Sequence, residues 1–237
     1  MLLYIIRHGD PIYEPDSLTK KGHLQAQALS KRLAVNGLDE IYVSPLLRAK
    51  QTAEPTCKLL GIDYKVEEWA NEGLLHWEMN YKNEKGETHW IFHQQSTNLK
   101  NDDTIYLTDN WHTADCFNVD GKDYKSAYDK ICKSSDDFLE RLGYKRKGSI
   151  YEIVKPNEKR VALFCHQGVG LTFLSHLLSI PPHIFWTSFD ITHSSVTILK
   201  FNNYENGLTS PVCLTLSDIS HIYKEDLPFE YNNYLKL

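Results

Sequence analysis

A three-layer α/β/α fold with a mainly parallel central sheet is what this sequence predicts, and three observations predict it. Two short apolar runs, Leu2–Ile6 and Val161–Cys165, each stop at or just before a histidine with a glycine close behind. Such runs read as strands buried on both faces. Around them, segments of helical periodicity alternate with further strand-like runs, as in sheets whose parallel strands are joined by crossover helices. Third, no repeat, low-complexity linker or compositional break interrupts the chain, so residues 1–237 read as one domain.

The elements follow in order. After the first run, Thr19 is placed to cap a helix through Lys20–Val35, with Leu24, Ala28, Leu29 and Leu33 on its apolar face and Gly37 as its stop. Glu40–Val43 is a second strand. Ser44 then reads as the cap and Pro45 as the first residue of a helix ending at Gly61, with Pro55 expected to kink or split it. Tyr64–Trp69 is a third strand. Between Asn71 and about Gly121 the periodicity fades, and Trp69, Trp77, Trp90 and Trp111 lie in or just before that stretch. Helical spacing returns over 123–144, with Tyr124, Tyr128, Ile131, Phe138 and Leu142 as the stripe. A helix over 169–180 follows the second buried strand, and the runs 194–201 and 211–219 close the sheet.

At 237 residues the chain can bury a core without disulfides or metals. A formal net charge of −5 provides no general basic surface, so neither nucleic acid nor a membrane is an expected partner. The five cysteines are scattered without a CxxC pair, which fits reduced thiols. No basic leader and no run of membrane-spanning length is seen, and a cytoplasmic location is expected.

In a parallel sheet the carboxyl ends of the strands share one edge, where ligands bind in such folds. Arg7 and His8 end the first strand, Arg48 lies early in the helix after the second, and His166 ends the later buried strand. These four can therefore meet. Two guanidinium and two imidazole groups describe a site for a dianionic phosphate, since guanidiniums bind phosphate oxygens in bidentate fashion.

The motifs "RHG", "SLTKKGHLQAQAL", "YVSPLLRAKQTAE" and "CHQG", in that order, resemble those of the histidine phosphatase superfamily, also called phosphoglycerate mutase-like. The resemblance covers residues 2–72 and about 160–200. It implies a phosphoglycerate mutase-like fold in which residues 73–122 form a variable insert, expected to act as a lid. It also implies that His8 is the nucleophile, that Arg7, Arg48 and His166 hold the phosphoryl oxygens, and that Glu72 is the proton donor, with Glu78 the nearby alternative. Trp69 and Trp77 would supply nonpolar surroundings that raise the donor's pKa. No cofactor and no metal are implied.

The activity expected is a metal-independent phosphomonoesterase acting through a phosphohistidine on a small phosphorylated substrate. The alternatives are a 2,3-bisphosphoglycerate-dependent phosphoglycerate mutase and a non-catalytic phosphate-binding module. Pro11 and Glu14 stand where many relatives carry Ser or Thr and Asn, and Gln167, Gly168 and Gly170 depart from the pattern after the second histidine. Groups suited to a second anionic end are thus missing, while Asp10 and Glu14 add negative charge, so hydrolysis is favoured over mutase activity. His89 and His93 have the i, i+4 spacing of a helical zinc pair, but no third ligand is evident and an amphipathic helix is the simpler reading. His193 is expected close to the site in an orienting rather than a catalytic part.

Overall fold

A computed structural model of the chain describes residues 1–83, 85–91, 110–117, 121–229 and 231. Its centre is a six-stranded sheet of β1 (Leu2–Arg7), β2 (Glu40–Val43), β3 (Tyr64–Val66), β4 (Arg160–Cys165), β5 (Val196–Lys200) and β6 (Val212–Asp218). The spatial order is β6-β5-β1-β4-β2-β3. Strands β1, β4, β2 and β3 are mutually parallel, while β5 pairs antiparallel with β1 and β6 antiparallel with β5. The mainly parallel sheet flanked by helices is therefore as expected.

Successive strand residues point to opposite faces, and each face has its own core. Leu3, Ile5, Val161, Leu163 and Cys165 lie on one side with Phe138, Phe173 and Leu174. Tyr4, Ile6, Ile41, Val43, Ala162 and Phe164 lie on the other with Leu29, Leu33, Ala49 and Ala53. The second group is covered by α1 (Lys20–Ala34) and α2 (Leu47–Leu60). The first is covered chiefly by α4 (Tyr124–Arg141), α5 (Gln167–Leu178) and α6 (Pro182–Ser188), with α3 (Glu72–Met79) beside them. A short α7 (Ser220–Lys224) packs on α1.

Several local expectations need correction. Leu24 is not on the buried face of α1; it is exposed, and Gln25 and Ala26 are buried instead. α2 begins at Leu47 rather than Pro45 and runs unbroken through Pro55. Its first turn is served not by Ser44 but by Asp16, whose carboxylate accepts from the Leu47 N–H at 2.6 Å. β3 stops at Val66, and a single 3₁₀ turn over Glu68–Ala70 follows. His89 and Trp90, expected at the start of a helix over His89–His93, lie instead in a strand, Thr88–Trp90, paired antiparallel with Asn80–Lys82; His93 lies outside the described residues.

One close approach shapes the loop after β1. A Cβ built on Gly22 would come 2.3 Å from the Asp10 carbonyl oxygen, and one on Gly9 2.8 Å from the Gly22 carbonyl oxygen. Backbone meets backbone there, with no side chain able to yield. Gly22→Ala is expected to destabilise the fold by about 1–3 kcal/mol, the usual cost of forcing extra atoms into a packed site. Urea denaturation measures it, and an unchanged midpoint would contradict this account.

Candidate active site

The carboxyl ends of β1, β2 and β4 deliver Arg7 and His8, Ser44, and His166 to one place, as the parallel pairing requires. Arg48, second residue of α2, and Glu72, first residue of α3, reach the same place from the flanking helices. All five predicted site residues are brought together and buried: His166 is 0% exposed, His8 1%, Arg7 2%, Arg48 7% and Glu72 8%. Burial of this many ionisable groups in one pocket is unusual unless they are paired or serve a ligand.

His8 is held by its backbone and by one ring nitrogen. Its N–H donates to the Cys165 carbonyl, and its carbonyl accepts from the Ser194 N–H. Nδ1 donates to the Gly9 carbonyl at 2.7 Å, which leaves Nε2 as the nitrogen carrying the lone pair. The Arg48 Nε–H points at that nitrogen from 3.3 Å. Burial, reinforced by His166, Arg7, Arg48 and His193, holds the His8 pKa well below 6.5, so the ring is neutral.

Arg7 is cradled by the segment before β5. Its Nη1 donates to the Ile191 carbonyl at 2.6 Å and its Nη2 to His193 Nε2 at 2.7 Å. Its Nε is buried with no partner. His193 also lies beside His8, with ring centroids 5.4 Å apart. Burial and the nearby Arg7 push the His193 pKa down to about 2, so it accepts from Arg7 as a neutral ring. The orienting part expected of His193 thus has a partner. Its position between a loop and a strand hinted at proximity, but nothing local in the sequence pairs it with Arg7.

Arg48 spreads its fork over three groups: Nε toward His8, Nη1 to Asp16 at 2.7 Å and Nη2 to Glu72 at 3.5 Å. The Tyr13 ring lies over the guanidinium, 5.4 Å from ring centre to Cζ. Asp16 and Tyr13 escaped the sequence reading because they act across a loop and a helix start rather than along one element.

Glu72 accepts from the Gly168 N–H at 2.7 Å through Oε1, at the start of α5. Its Oε2 lies 3.7 Å from His166 Nδ1. Burial raises its pKa although Arg48 and Arg7 pull the other way. The aromatic neighbour is Trp90, not Trp77: a Cβ on Gly168 would lie 2.9 Å from Trp90 Cη2 and 3.2 Å from Glu72 Oε1. Trp77 is 78% exposed, and Trp69 packs on Phe138 and Phe173. Glu78, the alternative donor, is paired with Lys130 outside the site.

His8, Glu72 and His166 each place one candidate ligand atom within 4.8 Å of the others, so three donors for a metal exist on paper. Two guanidiniums share that volume, however, and Arg48 lies against both His8 and Glu72. A dication would meet repulsion where an anion meets attraction. The buried Arg7 Nε and His166 Nδ1, both without partners, are further groups that suit an anion's oxygens.

Residues 3–111 match the model of the histidine phosphatase superfamily, branch 1. The fold resembles that of a phosphoserine phosphatase from Entamoeba histolytica, solved with 3-phosphoglyceric acid: 20% identity, 93% of this chain and 98% of that one covered, TM-score 0.61. It also resembles a mycobacterial glucosyl-3-phosphoglycerate phosphatase (18% identity, 91% and 98% covered, TM-score 0.60) and the α-ribazole phosphatase of Shigella flexneri (18% identity, 92% and 97% covered, TM-score 0.58). A comparison with curated proteins found no significant match. No described helix is long and apolar enough to cross a membrane. The sequence thus resembles the histidine phosphatase superfamily over residues 3–111, and the fold, phosphoglycerate mutase-like, matches over more than nine-tenths of the chain's length.

Proposed function

We propose that this chain is a metal-independent phosphomonoesterase that works through a phosphohistidine on His8. The observation that carries the reading is the state of His8: buried, neutral, with Nδ1 committed to the Gly9 carbonyl and the Nε2 lone pair directed at Arg48. In the first step Nε2 attacks phosphorus and the ester P–O bond breaks. Arg7, Arg48 and His166 hold the three transferring oxygens, and fixed donors of this kind supply much of the acceleration. Glu72, kept protonated by burial, gives its proton to the leaving oxygen. In the second step Glu72 takes a proton from water, which attacks phosphorus and breaks the P–N bond. Dividing one displacement into two lowers each barrier.

The substrate is a small phosphorylated molecule whose leaving group meets Tyr13 and Trp90, the latter lying beside Gly168 and Glu72. Carboxylates of Asp10, Asp16 and Asp190 near the arginines and His193 disfavour a second anionic end. The deciding assay incubates the purified chain in EDTA with an aryl phosphate and with 3-phosphoglycerate. Phosphate release supports this reading. Isomer formation would replace it with a mutase, and neither with a binding module.

The acid–base assignment has a pH signature. His8 must be neutral, and its depressed pKa keeps it so below 6.5. Glu72 must be protonated, and its raised pKa keeps it so above 4.5. kcat/KM for an alkyl phosphate is therefore highest in mild acid and falls as pH rises through the Glu72 pKa. Glu72→Gln lowers the value about 10²–10⁴-fold and removes the alkaline limb. A variant profile that keeps that limb would exclude Glu72 as the donor.

A further inference from the structure

Ser44 was expected to cap α2, but Asp16 serves that helix start and frees the Ser44 hydroxyl. That hydroxyl is fully buried and lies 2.7 Å from His166 Nε2. It also receives the Leu46 N–H at 3.4 Å. A serine hydroxyl has one proton to give. Among the described residues His166 Nε2 is the only acceptor within reach of this buried proton, so the proton goes to Nε2 and the Leu46 N–H occupies a lone pair of the oxygen. In a neutral imidazole the other nitrogen then carries the hydrogen.

We infer that Ser44 is a positioning residue, which fixes His166 as the Nδ1–H tautomer and so aims an N–H donor at the oxygens of a phosphoryl group. The inference rests on the proposed function for what the donor meets, but its tautomer statement stands on geometry alone. His166 Nδ1 is buried, without a hydrogen-bond partner, and 3.7 Å from Glu72 Oε2. In the opposite tautomer Nε2–H would donate to Ser44, the buried hydroxyl proton would lose its acceptor, and the Nδ1 lone pair would confront an incoming phosphate oxygen. One hydroxyl thus decides whether this side of the pocket attracts or repels the anion. The backbone does the same for His8, where the Gly9 carbonyl sets the opposite nitrogen free. One histidine presents a lone pair and the other an N–H, as attack and charge stabilisation respectively require.

The test uses the full chain labelled with ¹⁵N-histidine and two-bond ¹H–¹⁵N spectra at neutral pH, with the His166 signals assigned by their loss in His166→Gln. Wild type is expected to show His166 protonated on Nδ1, and Ser44→Ala to shift it to the Nε2–H form or an average of the two. Ser44→Thr, which retains the hydroxyl, restores the wild-type pattern. In parallel, kcat/KM for an aryl phosphate falls about 10- to 100-fold in Ser44→Ala, the usual loss when a partner orienting a histidine is removed. The loss lies mainly in kcat, and Ser44→Thr recovers it. A wild-type His166 protonated on Nε2, or spectra unchanged in Ser44→Ala, overturns the inference. Should wild type hydrolyse nothing while the spectra behave as described, the proposed function fails and the tautomer assignment stands.

Discussion

Replacing His8 by alanine abolishes phosphate release, lowering kcat/KM for an aryl phosphate by about 10⁴-fold or more, as removal of a covalent nucleophile does elsewhere. The variant still folds, because the His8 ring makes only two hydrogen bonds, donating to the neighbouring Gly9 carbonyl and accepting from the Arg48 Nε–H at 3.3 Å, and its backbone bonds to Cys165 and Ser194 are unaffected. Quenching wild type after brief exposure to ³²P-labelled substrate traps an acid-labile, alkali-stable phosphoprotein, and His8→Ala traps none. Activity retained by a folded His8→Ala protein would end the nucleophile assignment, whatever the status of the pocket.

The second large effect belongs to Arg48. Arg48→Ala lowers kcat/KM by about 10³–10⁵-fold, the range for an arginine that stabilises phosphoryl transfer. Lysine does not substitute. The guanidinium engages His8, Asp16 and Glu72 through three separate nitrogens, and an ammonium offers one centre on a flexible stem. Arg48→Lys is therefore expected to recover less than a tenth of the lost rate, and inhibition by orthovanadate weakens in both variants. A fall of less than tenfold in the alanine variant would place Arg48 outside the transition state and make it a structural partner of Asp16.

How much of this could be read from the residues depends on the range of the interaction. Short apolar runs that end in a charged or polar group announce both a strand and its functional edge, which is why Arg7, His8 and His166 stood out. Arg48 followed because its helix starts directly after a strand. Ser44 and Trp77 show the limit. A serine before a proline obeys the local rule for a helix cap, yet the cap comes from Asp16 in a distant loop and the hydroxyl turns to His166. A tryptophan five residues after Glu72 seemed its natural apolar neighbour, yet the hairpin pairing Asn80–Lys82 with Thr88–Trp90 brings in Trp90 instead. Histidine spacing at 89 and 93 obeyed helical periodicity only by coincidence, since residue 89 is in a strand. Partners chosen across the fold leave no periodic trace in the chain.

The position of β1 has a consequence for how the molecule comes into being. It is made well before both its sheet neighbours, β4 and β5, which come from residues 160–200. Until that stretch leaves the ribosome, an apolar strand waits with two open edges, the kind of surface that invites association between nascent chains. Contacts so remote in the chain also slow assembly. A chain halted near residue 155 should thus accumulate in aggregates or on chaperones, and the phosphate pocket can be completed only once residues 160–200 have been made.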